Sequence, residues 1–230
     1  MKVKISSILI ISILVLQGCV HTVKLAAVAS PEQQIGYKQT VTSQKKHFVS
    51  LAPYREQNPA SGRTSFILFV KNCGEEPINI DINNVSVIFE GNTKEWASRK
   101  ITVLSSNDLM NELNARIGGA ESAARMGVKT YYYPIYDTYG NLTGTYAQNE
   151  TTPLYGLAMN ELYQLNVQRM LVKELVMKSQ TLQLEQSGGG LVVCNTRAMD
   201  DKTEGNFQVV VSLAGEEHKF TFNRSLLSSK

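Results

Sequence analysis

Apolar and polar residues alternate in two parts of this chain and recur at helical spacing in a third. Phe48-Val49-Ser50-Leu51 predicts a short strand ended by Pro53. Thr64 to Lys71 predicts the strongest strand, apolar at every position from Phe66 to Val70. The polar turn Asn72-Cys73-Gly74-Glu75-Glu76-Pro77 carries two breakers. After it Ile78, Ile80 and Ile82 alternate with Asn79, Asp81 and Asn83, and Val85, Val87 and Phe89 continue the pattern to Gly91-Asn92. Lys100 to Leu104 is a further short strand candidate. Towards the C-terminus Leu191 to Cys194 is apolar, and Phe207, Val209, Val211 and Leu213 share one face. Ala214-Gly215-Glu216-Glu217 predicts a turn, and Phe220 and Phe222 alternate with Lys219 and Thr221 to complete a hairpin.

The middle of the chain has a different period. Ser106 is placed to cap a helix from Asn107 to about Ile117, with Leu109, Leu113 and Ile117 on one face. Gly118-Gly119 is expected to interrupt it, and Ala120 to Met126 to resume it. Leu157 to about Gln183 predicts a second, longer helix. Leu162, Leu165, Val172 and Val176 fall on one side with Leu171 and Leu175 close by; Tyr163, Val167, Met170 and Met177 lie opposite. The first stripe is accounted for by core packing, whereas the second asks for another contact. Thr130 to Gln148 connects the helices and predicts a hairpin with Gly140-Asn141 in its turn. Tyr131, Tyr132, Tyr133, Tyr136, Tyr139 and Tyr146 lie in it, and Tyr155 follows. Tyr136 to Thr143 resembles a single YD-type repeat, which without a tandem array says little. Two readings stand: an amphipathic hairpin docked on the sheets, or a binding surface whose aromatic faces stack on sugars or pack peptides.

Two β-rich ends around a helical middle predict a mainly β, α+β fold. The pattern strand, Lys-Asn-x-Gly-x-x-Pro, strand from Val70 to Ile80 is similar to small immunoglobulin-like domains of bacterial envelope proteins. Thr181-Leu182, Gly189-Gly190, Val192-Val193 and the closing Gly215-Glu216-Glu217-His218-Lys219-Phe220 extend the likeness to an uncharacterised proteobacterial lipoprotein family. Ser187-Gly188 departs from it, standing where Pro-Gly is expected. The resemblance covers residues 47–104 and 181–224 and implies an immunoglobulin-like β-sandwich. Its halves are residues 46–104 and 185–227, and residues 105–184 form a helical, tyrosine-rich insertion packed on one sheet. Ile67 and Phe69 point away from Phe66, Leu68 and Val70, and the Leu157 to Gln183 helix is the expected lid over them.

The N-terminus changes the picture. Met1-Lys2-Val3-Lys4 is a short basic start, and Ile5 to Leu16 is apolar except for Ser6, Ser7 and Ser12. That is the n-region and h-region pattern expected of a secretory signal, about a dozen apolar residues long and short of the roughly 20 that span a bilayer. Leu16-Gln17-Gly18-Cys19 resembles the bacterial lipobox, with Gln17 the less usual occupant. The resemblance implies diacylglycerol on the Cys19 thiol, cleavage before Cys19 and a third acyl chain on the new amino group. Residues 1–18 are then a signal peptide and residues 19–45 a tether, with its Ala-rich stretch to Pro31 and the polar run after it. Two or more chains anchor a protein stably. Val20, in place of an aspartate resembling an inner-membrane retention signal, implies the periplasmic face of the outer membrane.

Discarding residues 1–18 removes Lys2 and Lys4 and lowers the formal charge from +3 to +1, and no basic stripe argues for nucleic acid. With Cys19 lipidated, Cys73 and Cys194 remain as an even pair in an oxidising compartment, where a bridge and a buried free thiol are both open readings. His21, His47 and His218 are isolated, His47 and His218 read as surface residues, and no HExxH, CxxC or serine-elbow motif occurs. Gly188-Gly189-Gly190 lacks a following lysine and reads as a helix stop that turns the chain into a strand. Asp200-Asp201 lacks calcium-loop spacing. The expectation is a lipid-anchored, non-enzymatic envelope lipoprotein without cofactor or metal, contacting another envelope protein as scaffold or interaction module. The alternative is a glycan- or peptide-binding module using the tyrosine segment.

Overall fold

The computed structural model describes residues 22–59, 62–200 and 202–227. The strands before the helical region are β1 (Thr22–Val28), β2 (Gln34–Ile35), β3 (Val41–Gln44), β4 (Phe48–Pro53), β5 (Gln57–Pro59), β6 (Ser65–Lys71), β7 (Ile78–Ile80), β8 (Val85–Gly91), β9 (Arg99–Ile101) and β10 (Val103–Leu104). Then come α1 (Ser106–Met126), β11 (Val128–Tyr136), β12 (Leu142–Thr151) and α2 (Pro153–Leu175). β13 (Gln180–Leu182), β14 (Ser187–Cys194), β15 (Gly205–Leu213) and β16 (Glu216–Leu226) complete the chain. The described residues form two compact units: one from those within 22–104 and 177–227, the other from residues 105–176.

The first unit is mainly β, with short 3-10 turns at Tyr37–Gln39, Ile82–Asn84 and Lys94–Trp96. One six-stranded sheet has the order β5-β1-β16-β15-β8-β9, the other β10-β14-β6-β4-β3-β2, and their pairings are antiparallel. Alternation along each strand sends one set of side chains inward, where the two sheets share a core. Phe66 of β6 meets Phe207 of β15 at 5.9 Å and Phe222 of β16 at 4.9 Å between ring centroids. Both ends of the chain supply both sheets, as the sequence pattern implies. The short segment Lys100 to Leu104 divides between them, β9 joining β8 and β10 joining β14.

Asn72 explains why the Lys-Asn-x-Gly turn is polar. Its side chain is buried, donates to the carbonyls of Glu76 (2.8 Å) and Leu182 (3.0 Å), and accepts from the Gly74 N–H (2.9 Å). One amide thus ties the turn after β6 to β13, which itself pairs with β7. Lys71 adds an ion pair with Glu185.

Several expectations are corrected. Residues 22–45 are not a tether: β1 lies between β5 and β16, with Val23, Leu25 and Val41 buried. Their alternation is short and set among Ala, Gln and Thr, so only long-range pairing reveals it. Residues 1–21, including Cys19 and His21, lie outside the described residues. The second helix ends at Leu175, not Gln183. Val176 turns extended, the Met177 N–H donates to the Leu191 carbonyl, and Met177 and Leu182 enter the β core. The inserted unit therefore closes at Val176 rather than at residue 184.

On the outer face of β6, Ile67 and Phe69 are 46 % and 41 % exposed, and Phe69 is partly covered by Phe48, ring edge to face at 6.2 Å. Within the inserted unit, Leu165 of α2 packs against α1. Gly188 to Gly190 do not stop a helix. They lie within β14 and pair with β6.

Cys73 and Cys194 are both free, Cys73 exposed and Cys194 buried. Register is the reason. β14 runs antiparallel to β6, so Ser187 stands opposite Lys71 while the Cys194 N–H bonds the Thr64 carbonyl at the far end. Seven residues of strand, roughly 23 Å, separate those ends, far beyond disulfide reach. Burial pushes the Cys194 thiol up to about 12, so it stays protonated and unreactive.

Candidate functional site

In the second unit α1 and α2 carry the two-stranded ribbon β11–β12 between them. Ser105, rather than Ser106, caps α1: its hydroxyl accepts from the Asp108 N–H, and the Asp108 carboxylate accepts from the Ser105 N–H in return. The Ser105 hydroxyl also donates to the Asp108 carboxylate at 2.7 Å, and this bond, with the one from the Ser105 N–H, holds the Asp108 carboxyl below its ordinary range. Gly118-Gly119 does not interrupt the helix, which runs unbroken to Met126. The inner seam joins Leu113 and Ala120 of α1 to Leu165 of α2, with Ile117, Leu162 and Val172 beside them. Arg116 and Glu161 pair across it at 3.4 Å, worth less than about 1 kcal/mol at such exposure.

That seam is small, and the remaining apolar side chains of α2 lie outside it. Met159, Tyr163, Val167 and Met170 form one exposed stripe, and Leu157, Leu171 and Leu175 a second. The expected second stripe is therefore present and uncovered within this unit, except that Met177 belongs to the β core.

The ribbon grows directly out of the helices. At its base the Gly127 carbonyl accepts from both the N–H (2.9 Å) and the hydroxyl (3.0 Å) of Thr152. An alanine methyl at Gly127 would lie 2.5 Å from the Tyr155 nitrogen, so the chain there must be glycine. At the tip Asp137 organises the turn, accepting from the N–H groups of Tyr139 and Asn141 (both 2.8 Å) and from the Asn141 side chain (3.0 Å). These bonds hold its carboxyl below the usual range. Gly140, at φ +82°, provides the left-handed residue such a turn needs.

Ring positions follow from the register. Tyr131, Tyr133 and Ile135 share one face with Tyr146, and Tyr133 stacks on Tyr146 at 5.2 Å between centroids. Tyr132 and Tyr136 stand on the opposite face, and Tyr139 at the tip is 89 % exposed. Within this unit both faces of the ribbon are open. A two-stranded ribbon by itself is marginal in water.

A second polar cluster lies inside the β unit, at residues the sequence marks as surface. His47 and His218 are instead 1 % and 0 % exposed. The Ser43 hydroxyl lies 3.0 Å from His218 Nδ1, across the gap between the two sheets. Glu216 Oε2 is 3.7 Å from His218 Nε2, too far for a hydrogen bond. Among the described residues, neither ring nitrogen of His47 has a hydrogen-bond partner. A cavity of about 420 Å³ adjoins the cluster, lined by Ser43, Lys45, Glu217 and Lys219 among others. Serine, imidazole and carboxylate in line suggest nucleophilic catalysis, but the carboxylate does not reach the ring it would have to orient. The pair works as a polar clasp between sheets. Among the described residues, no group of three or more His, Cys, Asp or Glu is placed to hold a metal ion. The signal missed in the sequence is alternation: His218 falls in phase with Phe220 and Phe222.

Burial pushes the His218 imidazole below its ordinary 6.5; Glu216 opposes this, and Lys45 and His47 add to it. The unfolded chain therefore takes up a proton near pH 6.5 that the folded chain resists. Stability from this group is whole above that pH and is lost as pH falls below it. Urea midpoints at about pH 7.5 and about pH 5.5 are expected to differ more for wild type than for His218→Gln, whose amide keeps a bond to Ser43 without titrating. Equal differences would assign the acid sensitivity to other groups.

No protein-family model, curated protein or solved structure matches this chain. The exposed ribbon and helices thus stand as the candidate site on geometry alone.

Proposed function

We propose that this chain is a lipid-anchored, non-enzymatic envelope lipoprotein in which an immunoglobulin-like sandwich presents the α1–β11–β12–α2 unit to another envelope protein. The exposed tyrosine ribbon between two helices with uncovered apolar stripes carries this reading. Tyrosine provides contact area at low entropic cost, and such a surface is stabilised when a partner excludes water from it. The face-to-face two-sheet core and the turn built on Asn72 support the immunoglobulin-like resemblance. Attachment through Cys19 to the periplasmic face of the outer membrane rests on the lipobox resemblance. No helix among the described residues is long and apolar enough to cross a membrane. The sugar-binding alternative is weaker, because Tyr133 and Tyr146 turn ring faces to each other rather than outward.

Two measurements test the reading. Cys19→Ala is expected to lose acyl labelling and leave the membrane fraction; palmitate incorporation by the variant would defeat the anchor. A photoreactive residue at Tyr132 or Tyr139 of the lipidated chain is expected to give a discrete adduct with a second envelope protein. Adducts absent from both positions would defeat the interaction role.

A further inference from the structure

The two long edges of the tyrosine ribbon are not equivalent, and the difference identifies what one of them is for. Thr152 donates to Gly127 at the base, and the Asp137 N–H donates to the Asn141 carbonyl (2.9 Å) at the tip. Alternation in an antiparallel ladder then turns the backbone groups of Tyr131, Tyr133 and Ile135 toward β12. Those of Thr130, Tyr132, Pro134 and Tyr136 face outward. Pro134 has no N–H, so the outer edge of β11 lacks a donor at its middle and is blunted against further pairing.

The outer edge of β12 has no such protection. Thr145, Ala147 and Asn149 turn their N–H and C=O groups outward, and residues 142–149 contain neither proline nor a charged side chain. Proteins ordinarily guard a free edge of this length with lysine, proline or a covering element. β11 is guarded and β12 is open.

We propose that the β12 edge pairs with the β12 edge of a second copy of this chain, antiparallel about a two-fold axis at Ala147. The chemistry of the strand favours this occupant. Pairing on that axis sets Thr145 opposite Asn149, Tyr146 opposite Gln148 and Ala147 opposite itself, so no like charges meet. Glu150, the only charge of β12, falls opposite Gly144. The small side chain of Ala147 leaves the axis uncrowded. Two marginal ribbons become one four-stranded sheet with the Tyr131, Tyr133 and Tyr146 rings of both copies on a common face. This deepens the reading of the ribbon as the interaction element and rests on it: a paired sheet would present that surface twice from one membrane.

The test uses the full lipidated chain, co-expressed with two different tags and with Cys73→Ser to remove the exposed thiol. Under mild oxidation in membranes, Ala147→Cys is expected to give a disulfide-linked dimer containing both tags, while Thr130→Cys on the blunted edge stays monomeric. Ala147→Pro removes only an outward N–H, so it is expected to fold as wild type by circular dichroism while weakening self-association about a hundredfold in detergent sedimentation. Absence of the Ala147→Cys dimer, an equal dimer from Thr130→Cys, or an Ala147→Cys adduct with a foreign protein would each overturn the self-pairing. The broader interaction role fails separately, if photoreactive Tyr132 and Tyr139 capture no second protein.

Discussion

Gly189→Ala is expected to cost several kcal/mol and to leave little or no cooperative unfolding transition. Gly189 sits at φ +146°, where L-residues rarely go, and an added methyl would stand 2.0 Å from the Leu68 carbonyl oxygen and 3.1 Å from Phe69 Cα. Both obstacles are backbone atoms of β6, which pairs with β14 at this point. Relief requires parting two neighbouring inner strands of a sheet. The backbone conformation alone costs about 1–3 kcal/mol for a non-glycine residue, and the clash adds to it, against a total stability of roughly 5–15 kcal/mol. Gly118→Ala makes the contrast. That helical glycine has nothing within 4 Å of its would-be methyl, so alanine there is expected to stabilise by about 0.5–1 kcal/mol. Urea melts of the two variants, read beside wild type, should move in opposite directions. A Gly189→Ala midpoint equal to wild type would mean that β14 does not approach β6 as described.

Phe66→Ala is expected to destabilise by about 3–5 kcal/mol, the range for emptying a buried aromatic site. Phe66 is 0 % exposed and touches Phe207 and Phe222 on the facing sheet, so its loss opens a cavity that neither rigid sheet can collapse to fill. The urea midpoint should fall without a change in slope, because the surface exposed on unfolding is nearly the same. Ile67→Ala, one residue along but on the exposed face, should cost far less. Equal losses at the two positions would contradict the inward and outward assignment of β6.

Between Phe48 and Phe89 and between Leu191 and Phe222, local pattern located every strand except β5, some by alternation and β6 and β14 by continuous apolar runs. It also located α1 by Leu109, Leu113 and Ile117, and the tyrosine hairpin by Gly140-Asn141. What failed were inferences about who meets whom. β1 and β3 pass for a tether because Val23, Leu25 and Val41 are few, and their partners lie far along the chain or in another strand. Residues 176–183 read as helix because their apolar spacing suits either period, until Met177 bonds back to Leu191. The histidines look isolated because Ser43 and His218 are 175 residues apart in sequence.

Sequence alone therefore determined the type of the elements with a clear local pattern, the lipobox resemblance, the proline punctuation and the concentration of tyrosines, all of which depend on near neighbours. Tertiary structure decided the rest. It decided that Cys73 and Cys194 lie at opposite ends of β6, that two histidines are buried, that Ile67 and Phe69 are exposed, and that the ribbon offers one blunted edge and one open edge. Those facts depend on strand register and on which faces meet, and a period of two or 3.6 residues contains neither.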